Sequence, residues 1–396
     1  MIETYHQLSI FEAVRGGGHL LGVLDRSAHI KDADGAALTF ATRNYLTSLI
    51  QPGSDSAAAA ELIRLASAQP PPEGMGWQLD HLDLEVFYNR ARIFFWAALG
   101  CLGLGLLSLL LGRPARRARN LVLGLSLVPL LLLVAGLALR VRITGFAPVT
   151  NMYGTMIWVG LGLSLFTSVF YWLYTQPLLS GILWAGTAGL LFLTESLPLV
   201  LSPDLDPVVA VLRSNFWLTT HVLTITISYS AFTAAMLIGN VTLIRSLYKA
   251  TDDAFVTSAS HLCYRLIQLG VFLITVGIIL GGVWADYSWG RFWGWDPKET
   301  WALIVAIGYL AILHARHGGR LSRFGLLASA PAAYLLVIMA WYGVNFILAT
   351  GLHSYGFSSG GTRMIVGYLL VQAMLYILPW ILWTWRAARA EKGAVG

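Results

Sequence analysis

The sequence predicts an all-α polytopic membrane protein of about nine transmembrane helices, with a small extracytoplasmic N-terminal region. Three observations predict it. The 396 residues are 57% hydrophobic and only 12% charged, where soluble domains carry about 25% charged residues. Beyond residue 92 the chain holds nine apolar stretches, each near the roughly 20 residues that a helix needs to cross a bilayer. From residue 93 onward 19 Lys and Arg stand against 9 Asp and Glu, and the bases cluster in short loops between the apolar stretches. Membrane topology produces that placement; a phosphate-binding face does not, so the net charge of +6 is no sign of a nucleic-acid partner.

Residues 1–92 form one unit, with 11 acidic and 7 basic residues and four of the nine histidines, His6, His19, His29 and His81. Apolar spacing over Asn44–Leu65 predicts one or two amphipathic helices, and the segment after Pro72 reads as extended before Leu84, Val86 and Phe87 lead to the membrane. No secretory signal is visible in residues 1–20, which have no apolar core. Residues 93–396 form the transmembrane unit, with a Trp-rich loop at 284–301. Its spans read as 93–112, 120–140, 152–174, 180–200, 216–244, 266–285, 299–315, 326–349 and 364–385. Strands exposed to lipid would leave backbone groups unsatisfied, so the spans are helices. Loop bases set the orientation. One set of connections, including the tail, holds 13 bases (Arg113 to Lys392) and the other holds six: Arg140, Arg142, Arg213, Arg291, Lys298 and Arg363. The richer set belongs inside, which puts residues 1–92 outside. Cys101 and Cys263 form no C-x-x-C, so neither a disulfide framework nor a dithiol site is expected.

The outer connections carry the chemistry. Trp284–Trp301 reads WADYSWGRFWGWDPKETW, with five of the fifteen Trp in 18 residues. An interfacial aromatic belt would spread its Trp over all helix ends. A concentrated, half-wet Trp surface with Gly290 and Gly294 between the rings suits a large flat apolar ligand with a polar edge. Asp296-Pro297-Lys298-Glu299 predicts a helix start, Asp296 capping and Glu299 completing a capping box. A ligand role for either acid is secondary. His221 lies about 8 Å below Phe216 on the fifth span, and His353 follows the eighth in GLHSYG. A pair of imidazoles from different spans can clamp one iron. His314 lies about 22 Å deeper than Glu299 on the seventh span, too far to share that iron, and serves an inner site or none; His317 shares its face. Arg291, Arg363, Arg140 and Arg142 are candidate partners for a ligand carboxylate, and Glu195 is an acid within the fourth span. No P-loop, G-x-S-x-G or HExxH is present, so hydrolysis and nucleotide chemistry have no support.

These residues carry a resemblance. WGRFWGWDPKETW resembles the tryptophan-rich WWD signature of the haem-handling membrane proteins of cytochrome c maturation, in particular the CcsA (ResC) family. GFAPVTNMYGTMIW, SNFWLTTHVLTITISYSAF, LHARHGG and GVNFILATGLHSYG match in the same order, over roughly residues 120–385. The resemblance implies two haem positions. His221 and His353 would hold the iron of an outer haem beside Trp284, Trp289, Arg291, Trp293, Trp295 and Asp296, and His314 would hold an inner one. It implies non-covalent haem b, a CcsB (ResB)-type membrane partner supplying the other inner ligand, an apocytochrome c with its CxxCH segment, and indirectly a thiol-reducing protein. The implied activity is cytochrome c synthase (haem lyase type), acting at the extracytoplasmic face of the cell membrane. LDLEVFYNRARIFFW resembles the junction found where partner and CcsA are fused, which would make residues 1–92 partner-derived. Two other readings stand beside it: a haem exporter without attachment activity, and a di-haem electron-transfer subunit.

Overall fold

The computed structural model describes residues 82–112, 114–197, 201, 203, 205, 216–248, 254–348 and 362–395. The chain divides into two units, Met1–Leu82 and Asp83–Gly396, and all the described residues but Leu82 belong to the second. The expected helices over residues 44–65 and the His353 loop lie outside the described residues.

Ten α-helices and one π-helical segment are present among the described residues: α1 Leu82–Ala91, α2 Ile93–Leu111, α3 Arg116–Thr144, α4 Met152–Tyr174, α5 Pro177–Ser196, α6 Phe216–Ser246, α7 Ala254–Trp289, α8 Pro297–His317, α9 Arg323–Ile338, the π segment Met339–Leu348, and α10 Thr362–Val395. Nine helices of the described residues are long and apolar enough to cross a membrane, α1 and α2 counting as one and α9 with the π segment as another. The approach to the first span is helical from Leu82, and Tyr88 buries its ring edge-on against Phe94; residues 73–81, read as extended, lie outside the described residues.

Local chemistry sets the ends. Gly112 at φ 56 stops α2 and Gly145 at φ 72 stops α3, its N–H bonding the Val141 carbonyl at 2.9 Å. Asn151 caps α4 by accepting from Gly154 N–H at 2.8 Å, and Ser322 caps α9 in the same way from Gly325 at 2.9 Å. Pro177 opens α5 at the position that lacks a hydrogen-bond partner in any case. The largest departure from the sequence expectation is α7. It runs 36 residues, about 54 Å at 1.5 Å per residue, well beyond the roughly 30 Å of hydrocarbon. Nothing between Trp284 and Trp289 breaks a helix, so the first third of the Trp-rich stretch is helical.

Helix α6 is the centre of the bundle and packs on α4, α5, α7, α9 and α10. Of its most apolar stretch 61% is buried, against 6% for α10, which lies at the periphery. Lipid tails give no hydrophobic reward for helix association, so close packing must hold the helices. Ser228, Ser230, Ala231, Ala234, Ala235 and Gly239 supply the small surface of α6. Gly270 of α7 receives the Phe232 ring, which stacks on Tyr309 of α8 at 3.8 Å.

Candidate ligand-binding site

Connections α3–α4, α5–α6, α7–α8 and π–α10 share one end of the bundle, the Trp-loop end. Connections α4–α5, α6–α7 and α8–α9 share the other, the basic-loop end. At the Trp-loop end, His221 of α6 lies against α7, with Nδ1 2.7 Å from the Gly277 carbonyl. A carbonyl only accepts, so Nδ1 holds the proton and Nε2 the lone pair. That is the tautomer of a metal-binding imidazole, oriented by a backbone partner. Glycines permit the approach. A Cβ at Gly281 would lie 2.6 Å from His221 Cε1, and one at Gly277 would lie 2.9 Å from Ile225 Cβ. Gly277 and Gly281 thus form a small-xxx-small seam in which α6 and the imidazole both sit.

The aromatic residues extend this arrangement. Trp284 is fully buried, and its ring lies within 6° of parallel to His221 at 6.5 Å. Trp289 meets Trp284 edge-on at 4.6 Å. Gly290, at φ 69, ends α7 and bonds the Asp286 carbonyl at 2.9 Å. Phe292 then folds back over Gly282, where a Cβ would lie 2.5 Å from its ring. Trp293 and Trp295 stand perpendicular at 5.7 Å. Trp295 is 70% exposed and sits at φ 56, a left-handed conformation that strains a bulky residue by about 1–3 kcal/mol. Glu299 holds it there. Its Oε2 accepts from the N–H of Gly294 at 2.8 Å and of Asp296 at 3.1 Å, the two residues flanking Trp295. Asp296 is buried and accepts from Lys298 N–H at 3.0 Å and from the Glu299 N–H, and the bond of Glu299 back to the Asp296 N–H completes the capping box that the sequence predicts. One cap therefore starts α8 and fixes an exposed indole.

A cavity of about 200 Å³ lies behind this loop, between α4, α6, α7, α8 and the π segment. His221, Trp284, Trp293, Lys298, Trp341 and Asn345 line it. Asn345 donates from Nδ2 to the Trp341 carbonyl at 3.0 Å, while its buried Oδ1 has no partner among the described residues. π-Helical insertions recur at functional sites; here the π segment carries Trp341 and Asn345, which line the same cavity as His221.

Of the residues singled out in the sequence, His221, Trp284 and Trp293 come together at this cavity, with Trp289 and Trp295 packed on two of them. Arg291 is exposed and reaches its own loop, Nη1 lying 3.5 Å from the Gly294 carbonyl. Arg142 and Arg363 are exposed. Arg140, 3% exposed, is occupied elsewhere: Nη1 donates to Tyr88 Oη at 3.0 Å and to the Pro203 carbonyl at 2.9 Å. Its guanidinium also lies over the Tyr153 ring at 5.1 Å, and Tyr153 donates to Glu195 at 2.5 Å. His353 lies outside the described residues. His314 is far along α8, exposed beside Ile307 and Leu310, with Nδ1 2.8 Å from the Leu310 carbonyl. Sequence reasoning missed Gly277, Gly281, Lys298 as a cavity residue, Trp341 and Asn345. The Gly-x-x-x-Gly spacing at 277–281 was the one available signal. The others depend on which helix faces which.

Comparison with known proteins gives this geometry a family. Residues 149–353 match the model of the cytochrome c assembly protein family. The chain is 34% identical over 288 residues to protein NrfI of Wolinella succinogenes, covering 69% of this chain and 31% of that longer protein. It is 34% identical over 266 residues to the cytochrome c biogenesis protein CcsA of Chlamydomonas reinhardtii, covering 64% of this chain and 72% of the relative. CcsA of Guillardia theta is 30% identical over 305 residues, 70% of this chain and 98% of the relative. Among solved structures the fold is similar to cytochrome c heme lyase CcmF, with a TM-score of 0.50 at 16% identity, covering 78% of this chain and 52% of that one. The matched segment contains His221, the whole Trp-rich stretch and the π segment, and the chain belongs to the cytochrome c assembly protein family.

Proposed function

We propose that this chain works in cytochrome c maturation by receiving haem b and presenting it at the Trp-loop end for attachment to the CxxCH segment of an apocytochrome c. The observation that carries the reading is the His221 imidazole, with Nδ1 committed to the Gly277 carbonyl and its ring plane parallel to Trp284. The donor set suits haem. An imidazole nitrogen is a common axial ligand of haem iron, and indole faces suit a flat apolar ring with a polar edge. The cavity volume is below the 300–1,000 Å³ usual for ligand pockets. It therefore takes one edge of the ring, and the rest lies under Trp293 and the exposed Trp295. Lys298 is the cation that lines the cavity, and it serves a haem carboxylate better than the committed Arg140 or the outlying Arg291.

In this reading haem is the substrate, and its vinyl groups accept the two cysteine thiols of the apocytochrome as thioethers. His221 would be one imidazole ligand of the iron, and His353, outside the described residues, would be the other. Two imidazole ligands would protect the iron from oxygen. The Glu299–Asp296 cap keeps the Trp surface rigid, which fixes the ring's orientation and keeps water off its buried edge. His314 serves an inner haem. Its exposure on an apolar face of α8 fits a second ligand from a CcsB-type membrane partner. The Trp-loop end faces the outside of the cell membrane, since the other end holds the 13 loop bases. A thiol-reducing protein keeps the apocytochrome cysteines reduced, and the residues ahead of Leu84, where the first span begins, are a partner-derived extracytoplasmic segment.

Co-expression with a CcsB-type partner and a CxxCH reporter tests this, in cells stripped of their own maturation system. Covalently haem-stained reporter is expected from the wild type, and less than about a tenth as much from Trp293→Ala and Lys298→Ala, each losing some 1.4 kcal/mol or more of haem positioning. Wild-type yields from both variants would contradict the assignment of this surface.

A further inference from the structure

We propose that the basic-loop end of the bundle holds an anionic phospholipid, its phosphate headgroup seated in a cavity between α4, α5, α7 and α8. This cavity measures about 740 Å³, against about 200 Å³ behind the Trp loop. It is within the usual range of small-molecule sites, and none of the residues assigned to haem lines it. Arg265 of α7 and Arg316 of α8 bring two guanidiniums to it, with His261 and His317 beside them. None of the described lining residues is acidic. Two cations that face one space repel each other unless an anion lies between them, and guanidiniums match the oxygen pairs of a phosphate.

The arginines are partly fixed in advance. Arg316 donates from Nη1 to the Leu321 carbonyl at 2.7 Å, across the α8–α9 turn. Arg265 gives one bond to Gln268 Oε1 at 3.3 Å. Each guanidinium has five donors, so most of both remain for a ligand.

Position and wall chemistry identify the class of ligand. Tyr174 ends α4, Pro177 begins α5 and His317 ends α8. The cavity therefore lies where the spans leave the hydrocarbon, at headgroup level. Phe170 and Tyr174 form an apolar wall. Trp172, Leu173, Tyr174 and Leu178 are 46–60% exposed on the same two helix ends. Tyr174 also lines the cavity, so exposed apolar surface for acyl chains adjoins the headgroup site. Interfacial Trp and Tyr mark that depth, and basic pockets between spans are the usual receptors for anionic headgroups. A soluble phosphate would gain nothing from the apolar wall.

The test uses the full chain, delipidated in neutral detergent and read by native mass spectrometry in mixed micelles. Four probes are added separately: phosphatidylglycerol, phosphatidylcholine, inorganic phosphate and haem. Wild type is expected to retain phosphatidylglycerol about thirtyfold over phosphatidylcholine, the scale set by two basic contacts of about 1 kcal/mol each. Arg265→Gln is expected to cut that preference to about fivefold, the contribution of Arg316 alone. Arg316→Gln does the same if it folds; because Arg316 also bonds Leu321, the decision rests on Arg265→Gln. Equal retention of the two lipids, or an undiminished preference in Arg265→Gln, overturns the proposal. So does arginine-dependent binding of inorganic phosphate alone. Displacement of phosphatidylglycerol by haem, lost in the same variant, would make this a haem site and overturn the lipid assignment.

Discussion

His221 is positioned by an absence of atoms: the hydrogens of Gly277 and Gly281 let its ring lie on α7. Gly281→Val would drive carbon into that ring. Overpacking of this kind costs about 1–3 kcal/mol, and here the imidazole is what moves. Haem retained per protein is expected to fall about tenfold while the folded yield stays within about twofold, measured by pyridine haemochrome against protein mass; unchanged haem would show that the ring can shift without consequence. Glu299 presents a different case. Its carboxylate holds the amides on either side of the strained Trp295. Glu299→Ala removes half of a capping box, about 1 kcal/mol, and releases the strain. The expected outcome is a small fall in the unfolding midpoint with a large rise in acrylamide quenching of Trp fluorescence. A large fall in midpoint with unchanged quenching would refute a loop-holding role. The cap was legible in Asp296-Pro297-Lys298-Glu299 because capping is local chemistry. Its hold on Trp295 was not, since that depends on a backbone angle.

At the scale of helices, the Arg140–Tyr88 and Tyr153–Glu195 bonds tie α1, α3, α4 and α5 together at the Trp-loop end. A hydrogen bond to a charged group contributes about 1.5–3 kcal/mol. Tyr153→Phe is therefore expected to lower the unfolding midpoint in detergent by several degrees, with haem content per folded protein unchanged. Loss of haem without loss of stability would place this network in the site instead. In the sequence, Glu195 reads as an intramembrane acid and Arg140 as a loop base and candidate carboxylate partner. Neither reading could find the pairing, because the two lie on different helices and meet through tyrosines. The nine spans were legible for the opposite reason. Each is a property of its own composition, and α7 outran its expected bounds most, by twelve residues at its start, where the helix continues beyond the apolar stretch through Ser258, His261 and Arg265, and by four at its end. The π segment left no trace in composition, although it brings Asn345 and Trp341 to the cavity.

For the whole molecule, the uneven loop charge predicts sidedness. Cys101 and Cys263 are buried, so replacing both with Ala gives a background for single-cysteine labelling. In intact cells a membrane-impermeant maleimide is expected to label Arg291→Cys, and to reach Arg320→Cys only after permeabilisation. The reverse pattern would invert the molecule and move haem attachment to the wrong face. The proposed ligand of haem iron at the Trp-loop end is His221. The most direct test of that claim is the absorption spectrum of the purified protein, co-expressed with its partner, as wild type and as His221→Gly with and without imidazole. Wild type should show reduced, low-spin haem, and His221→Gly should lose it or turn high-spin and regain the low-spin bands when imidazole fills the space. A wild-type spectrum from His221→Gly, or no haem in either protein, would contradict the claim and leave the Trp surface to another ligand.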